Sequence, residues 1–247
     1  MKVKDINRAR KNFLYLFRTG ASAKVLKLFC HFRFMKFNLI HSARDRHSLF
    51  LKFISERSFS HNWFMANIYI WHYFSKYYDF SRAERILEIG SWQGMSTCFL
   101  ALNFPNAKID CVDTWAGADE HQSGHAASSN VLESVESIFD QNTEDFSHRI
   151  KKYKMSSLEF LSCSSCQNGY DLIYIDGSHR SEDVLLDAFL ALRLVKSGGI
   201  VVFDDFLWRY YRDEQQNPAA AINFFLRQKA DHIELLFVDG QVVIRKK

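Results

Sequence analysis

Arg85-Ile86-Leu87-Glu88-Ile89-Gly90-Ser91-Trp92-Gln93-Gly94-Met95-Ser96 is the stretch on which the reading of the fold turns. A strand with apolar Ile86, Leu87 and Ile89 carries an acid, Glu88, near its end. The chain then turns at Gly90 and passes Gly94 into an apolar helical segment, Met95–Phe104. Glycines let a backbone take positive φ and come close to a ligand. The spacing is G-x-x-x-G, not the G-x-G-x-x-G of dinucleotide binders, and no phosphate-loop lysine follows. That disfavours nicotinamide cofactors and nucleoside triphosphates.

Outward from this loop the chain alternates short strands and helices. Strands are expected at Arg85–Ile89, Lys108–Val112, Arg149–Met155, Asp171–Ile175 and Ile200–Phe203. Helices are expected at Met95–Phe104, Asn130–Phe139, Ser156–Cys163, Ser181–Leu194 and Asn217–Gln228, the last with Pro218 in its first turn. Ile233–Val238 and Gln241–Arg245 flank Asp239-Gly240, a hairpin signal. The expected fold class is therefore α/β, a mostly parallel sheet covered on both faces with a C-terminal antiparallel hairpin.

The strand after the glycine loop ends at Asp113, 23 residues beyond Gly90. An acid there can accept hydrogen bonds from both hydroxyls of a ribose. Two later strands deliver more acids to the same edge. Asp171-Leu172-Ile173-Tyr174-Ile175-Asp176-Gly177-Ser178-His179 ends in Asp176 and His179, and Ile200-Val201-Val202-Phe203-Asp204-Asp205 ends in a carboxylate pair. Three converging carboxylates suit a hard cation such as Mg²⁺. His179, three residues past Asp176, is placed to take a proton near neutral pH. The bland reading, in which Asp204 and Asp205 cap the next segment and His179 is a satisfied loop histidine, stays open.

The glycine loop and Asp113 resemble motif I and the ribose acid of class I S-adenosylmethionine-dependent methyltransferases. That resemblance covers about residues 85–247. The D-G-S-H segment, the following helix, the Gly198-Gly199 turn and Asp204-Asp205-Phe206 resemble the macrocin O-methyltransferase and cephalosporin hydroxylase-like branch. The resemblance implies a Rossmann-like seven-stranded fold with S-adenosylmethionine held by Glu88, Gly90, Ser91, Gly94 and Asp113. It places an adenine contact at Ser156, for which a helix N-cap is an equal alternative. It implies Mg²⁺ on Asp176, Asp204 and Asp205, with His179 as base. The implied reaction is O-methylation of a hydroxyl on a sugar, glycan or glycosylated small molecule. A hydroxylase-like oxidoreductase and a non-catalytic binding module are the competing readings. No histidine-rich iron site or flavin motif favours the first, and the three acids weigh against the second.

The whole chain is long enough for one such domain plus an appendage: 247 residues, 47% hydrophobic, with 23 Phe, 10 Gly and only 2 Pro. Residues 1–80 read as a helical extension and 81–247 as the cofactor domain. In the extension Leu14, Phe17, Val25, Leu26, Phe29, Phe32 and Leu39 recur at helical spacing, with a break near Thr19–Ala23. Residues 61–80, His61-Asn62-Trp63 through Tyr78, read as another aromatic helix. Residues 1–57 carry 14 Lys and Arg against 3 Asp and Glu, a net +11; the remainder is net −7. This basic arm suits packing on the domain or on a second subunit, or an anionic membrane surface, with packing preferred. No nucleic-acid module is recognisable. Five scattered cysteines do not form a disulfide framework and suit a reducing cytosol, and Cys163-Ser164-Ser165-Cys166 alone is weak evidence for zinc. No signal peptide and no run of about 18 apolar residues is apparent. His121 and His125 fall in an expected loop over the site.

Overall fold

Seven strands form one sheet in the order β3-β2-β1-β4-β5-β7-β6. The strands are β1 (Arg85–Ile89), β2 (Lys108–Asp113), β3 (Ile150–Lys154), β4 (Tyr170–Ile175), β5 (Val195–Phe203), β6 (Ile233–Val238) and β7 (Val242–Lys246). The computed structural model describes residues 3–119, 129–163 and 169–247. Pairing is parallel from β3 to β5, and β7 runs antiparallel between β5 and β6. The chain winds outward one way from β1 through β2 to β3, then the other way from β4 to β5. The reversal between β1 and β4 is the switch point at which open α/β sheets bind ligands, outside the carboxyl ends of the strands.

The central strands are continuously apolar because both faces are covered. Ile86, Ile109, Leu172, Tyr174, Ile200 and Val202 point into one core, with Phe64, Trp71, Phe99 and Phe104. Leu87, Ile89, Ile173, Ile175, Val201 and Phe203 alternate to the other face, against Ala188, Ala191, Ile222 and Phe225. Long helices flank the sheet: α5 (Met95–Asn103), α6 (Ser129–Thr143), α8 (Ser181–Leu194) and α9 (Pro218–Gln228), with the short α7 (Ser157–Ser162) beside them.

The N-terminal extension consists of α1 (Val3–Arg18), α2 (Ala23–Ser42), α3 (Arg44–Ile54) and α4 (Ile68–Phe74). The expected break falls between Arg18 and Ala23: Gly20 takes φ +81°, and the Ser22 hydroxyl accepts from Val25 N at 3.3 Å to cap α2. A second break at Ala43 has no strong sequence signal. The single helix expected over residues 61–80 is instead a 3₁₀ turn, Trp63–Asn67, followed by α4. The chain leaves α4 at Ser75, which lets Tyr78 and Phe80 fold back onto Phe74, and Phe80 onto Trp71.

The extension is part of the same packing unit. α2 lies along β6 and places Val25 and Phe29 in one core, Phe32 and Leu39 in the other. It thereby covers an edge strand that would otherwise offer unpaired backbone groups. Asp239, in the β6–β7 turn, is fully buried and holds α2 through Arg33 at 2.5 Å and Lys36 at 3.1 Å. The Tyr69 hydroxyl of α4 donates to the same carboxylate at 2.5 Å. Arg18 pairs with Glu214 at 2.5 Å, and Asn223 of α9 donates to the Thr19 hydroxyl at 3.1 Å. Of the described residues, no helix is long and apolar enough to cross a membrane.

Candidate active site

The loop after β1 is built on two left-handed glycines, Gly90 (φ +83°) and Gly94 (φ +84°). A Cβ on Gly90 would sit 2.0 Å from the Asp176 carbonyl oxygen, so only glycine lets β1 turn this close to the end of β4. Gly90 N also donates to Val112 O at 2.9 Å, which binds the loop to β2. Trp92, Trp115 and Asp205 are the non-glycine residues at positive φ among those described. All three lie just beyond strand C-termini. Strained backbone is thus concentrated at the edge where the sheet topology places a ligand.

Asp113 ends β2 and is half-buried. Its Oδ2 accepts from Ser91 N and Trp92 N, each at 2.8 Å, and its Oδ1 from Trp115 N at 2.7 Å. A carboxylate offers about four lone-pair sites. Asp113 therefore spends most of its accepting capacity on fixing the glycine loop, while remaining at the mouth. Glu88 is fully buried beneath that loop. It accepts from Ser91 Oγ at 2.8 Å and Cys111 Sγ at 3.5 Å, and from the Thr97 hydroxyl. Burial pushes the Glu88 carboxyl above the usual range, opposed by the surrounding hydroxyls. Among the residues expected around the cofactor, Gly90, Gly94, Ser91 and Asp113 form one loop assembly, and Glu88 underpins it. Ser156 is the N-cap of α7: its hydroxyl accepts from Glu159 N at 3.2 Å, and Glu159 returns the bond to Ser156 N at 2.9 Å. His121, His125 and Cys166 lie outside the described residues; Cys163 is exposed at the end of α7.

β4 and β5 bring Asp176, His179, Asp204 and Asp205 together, as the sequence spacing requires. His179 Nε2 lies 2.8 Å from Asp205 Oδ2 and 4.0 Å from Asp176 Oδ1. One ligand atom from each of Asp176, His179 and Asp205 falls within 4.8 Å of the others, a spacing a single cation can span. Asp204 differs from the expectation of a third carboxylate ligand. Its oxygens accept from Asn67 Nδ2 at 3.1 and 3.2 Å, Gln241 Nε2 at 2.8 Å and Asp205 N at 2.7 Å, and from the Tyr174 hydroxyl. Tyr174 also lies 3.1 Å from Asp176 Oδ2. Asp204 thus anchors the cluster from behind, and an imidazole stands beside the two carboxylates that face the mouth. Burial and the neighbouring Asp204 charge push Asp176 well above the ordinary carboxylate range. Burial, then the Asp205 charge, push Asp204 up to about 6, with Tyr174 and Gln241 opposing. A divalent cation would relieve this crowding of like charge.

Asn67, Tyr174 and Gln241 were not foreseen as site residues. Tyr174 had a signal, since it precedes Asp176 by two and shares its face of β4. Asn67 reaches Asp204 across 137 residues of sequence, which no local pattern encodes. Trp208 was also missed; its ring lies 4.5 Å from that of His179, tilted 33°.

Residues 87–206 match a family model described as a methyltransferase domain. A mimivirus protein, "Uncharacterized protein R132" of Acanthamoeba polyphaga mimivirus, is 29% identical over 140 residues, 53% of each chain. "Probable caffeoyl-CoA O-methyltransferase 3" of Dictyostelium discoideum is 24% identical over 127 residues, 51% of this chain and 45% of that protein. The chain spans about half the length of the curated relatives it matches. Among solved structures, the MycE methyltransferase of the mycinamycin biosynthetic pathway, in complex with Mg, SAH and mycinamycin VI, superposes with a TM-score of 0.55 at 18% identity. The match covers 81% of this chain and 54% of that one. Residues 87–206 are thus similar to methyltransferase domains, and the seven-stranded sheet has the Rossmann-like fold seen in the solved methyltransferase.

Proposed function

We propose that this protein is an S-adenosylmethionine-dependent O-methyltransferase, assisted by a divalent cation, that acts on a hydroxyl of a sugar, glycan or glycosylated small molecule. The observation that carries the reading is the placing of two assemblies on one sheet edge. The loop from Gly90 to Gly94, locked by Asp113, stands next to the Asp176–His179–Asp205 cluster, and Gly90 touches the Asp176 backbone. The O-methyltransferase name of the Dictyostelium relative supports the reaction class. MycE, solved with Mg and SAH, supports the cation and cofactor. The sugar preference rests on the likeness of the D-G-S-H and D-D-F segments to the macrocin branch.

The glycine loop and Asp113 would hold the cofactor, and Asp176 and Asp205 the cation, with Asp204 keeping Asp205 in place. S-adenosylmethionine supplies an electrophilic methyl on a sulfonium. A cation held by Asp176 and Asp205 would lower the pKa of an acceptor hydroxyl. His179, whose ring stands beside Asp205, would be the base that accepts the hydroxyl proton. Held by the glycine loop and Asp113, S-adenosylmethionine would supply its methyl group to that oxygen. Trp208 packs on the His179 ring and limits the water around the base.

Calorimetric titration with S-adenosylmethionine, with and without Mg²⁺, tests the reading on the wild type and on Asp113→Ala. The wild type is expected to bind, and the variant to lose at least tenfold in affinity while circular dichroism stays unchanged. Absence of binding to the folded wild type would sink the proposal.

A further inference from the structure

α2 buries Val25, Phe29, Phe32 and Leu39 against the domain. A helix turns about 100° per residue, so Lys24, Lys27, Phe34, Phe37 and His41 share the opposite side. Phe34 is 84% exposed and Phe37 80%, the most exposed large apolar side chains among the described residues. The 20-residue helix contains four Lys and Arg and no acid. Arg33 and Lys36 are engaged by Asp239, whereas Lys24, Lys27 and Arg44, just past the helix end, form no ion pair among the described residues. The Asp239 tie holds the helix firmly, with its aromatic pair facing outward.

We infer that this face of α2 docks on an anionic lipid surface, with Phe34 and Phe37 entering at headgroup level and Lys24, Lys27 and Arg44 meeting the phosphates. Aromatic residues set among cations, without acids, are the composition that binds such surfaces. Charge also argues against a second copy of this chain as the occupant. Residues 1–57 are net +11, so two such extensions brought together would repel. The inference does not depend on the proposed reaction.

Vesicle co-sedimentation of the full chain tests it, using phosphatidylcholine alone and phosphatidylcholine mixed with phosphatidylglycerol. The wild type is expected to bind the mixed vesicles only, and less as salt rises. Lys24→Gln with Lys27→Gln should lower the partition coefficient by about thirtyfold, at about fivefold per cation. Phe34→Ser with Phe37→Ser should lower it by at least about tenfold, with no fall in thermal midpoint because both rings are solvated. Wild-type protein that ignores the mixed vesicles would overturn the inference. So would a wild-type dimer in light scattering that the Phe34→Ser, Phe37→Ser variant turns into a monomer, since a second copy would then be the occupant.

Discussion

Replacing Asp239 by Asn removes one charge and almost no volume, and it tests how the extension is held. The carboxylate is fully buried and meets Arg33 at 2.5 Å, Lys36 at 3.1 Å and the Tyr69 hydroxyl at 2.5 Å. Asn keeps an acceptor for Tyr69 but leaves two cations without their counter-charge. Breaking a buried ion pair costs about 3–5 kcal/mol. The Arg33 and Lys36 side chains keep 18% and 31% exposure, and that screening lowers the expected loss to about 2–4 kcal/mol. For a chain of this size the thermal midpoint should fall by roughly 5–12 °C. Urea unfolding of Asp239→Asn beside a triple variant, Arg33→Met, Lys36→Met and Asp239→Asn, separates charge from shape. The triple variant should recover much of the loss, because apolar groups in place of buried ions are often neutral or stabilising. A single variant within about 0.5 kcal/mol of the wild type, or a triple variant no better than the single, would refute the reasoning.

Two further outcomes follow from particular residues. Gly90→Ala sets a methyl against the fixed carbonyl of Asp176 and forces a side chain into φ +83°. The left-handed conformation and the displaced strand should together cost about 2–4 kcal/mol in chemical denaturation, and unchanged stability would contradict the close approach of β1 and β4. Asp187 on α8 is 2% exposed, and burial pushes its carboxyl up to about 7. Between the ordinary carboxylate pKa and about 7 the folded state holds a proton that the unfolded state has lost, so this group makes stability fall as pH rises through that window. Asp187→Asn should therefore gain on the order of 3 kcal/mol at pH 8 and little at pH 4; a gain independent of pH would dismiss the titration.

What the sequence disclosed followed from locality. The strand Arg85–Ile89, the helix Ser181–Leu194 and the strand Ile233–Val238 carry their bounds in apolar runs and turn residues, and the structure keeps them. The three loops of the site were legible because each acid closes a strand, and parallel strands align their ends. Less legible was which carboxylate faces inward. Asp204 and Asp205 are adjacent, and only the approach of Asn67 and Gln241 decides that Asp204 is the anchored one. The aromatic segment after Asn62 misled for a related reason. Its periodicity fits one helix, but the fold needs Phe74, Tyr78 and Phe80 together around Trp71 and Phe104, which a straight rod cannot do.

The hold of the β6–β7 turn on α2 has a consequence for the order in which the molecule is made. Lys36 waits for a partner 203 positions later, and Thr19 for one 204 positions later. During synthesis α1 and α2 leave the ribosome well before the edge they cover, which does not exist until β6 and β7 have emerged. Such distant contacts form slowly. Until then Phe29 and Phe32 remain bare to solvent and to other nascent chains. The extension is made well before the surface that seats it, so its folding rests on whatever shelters those rings in the interval.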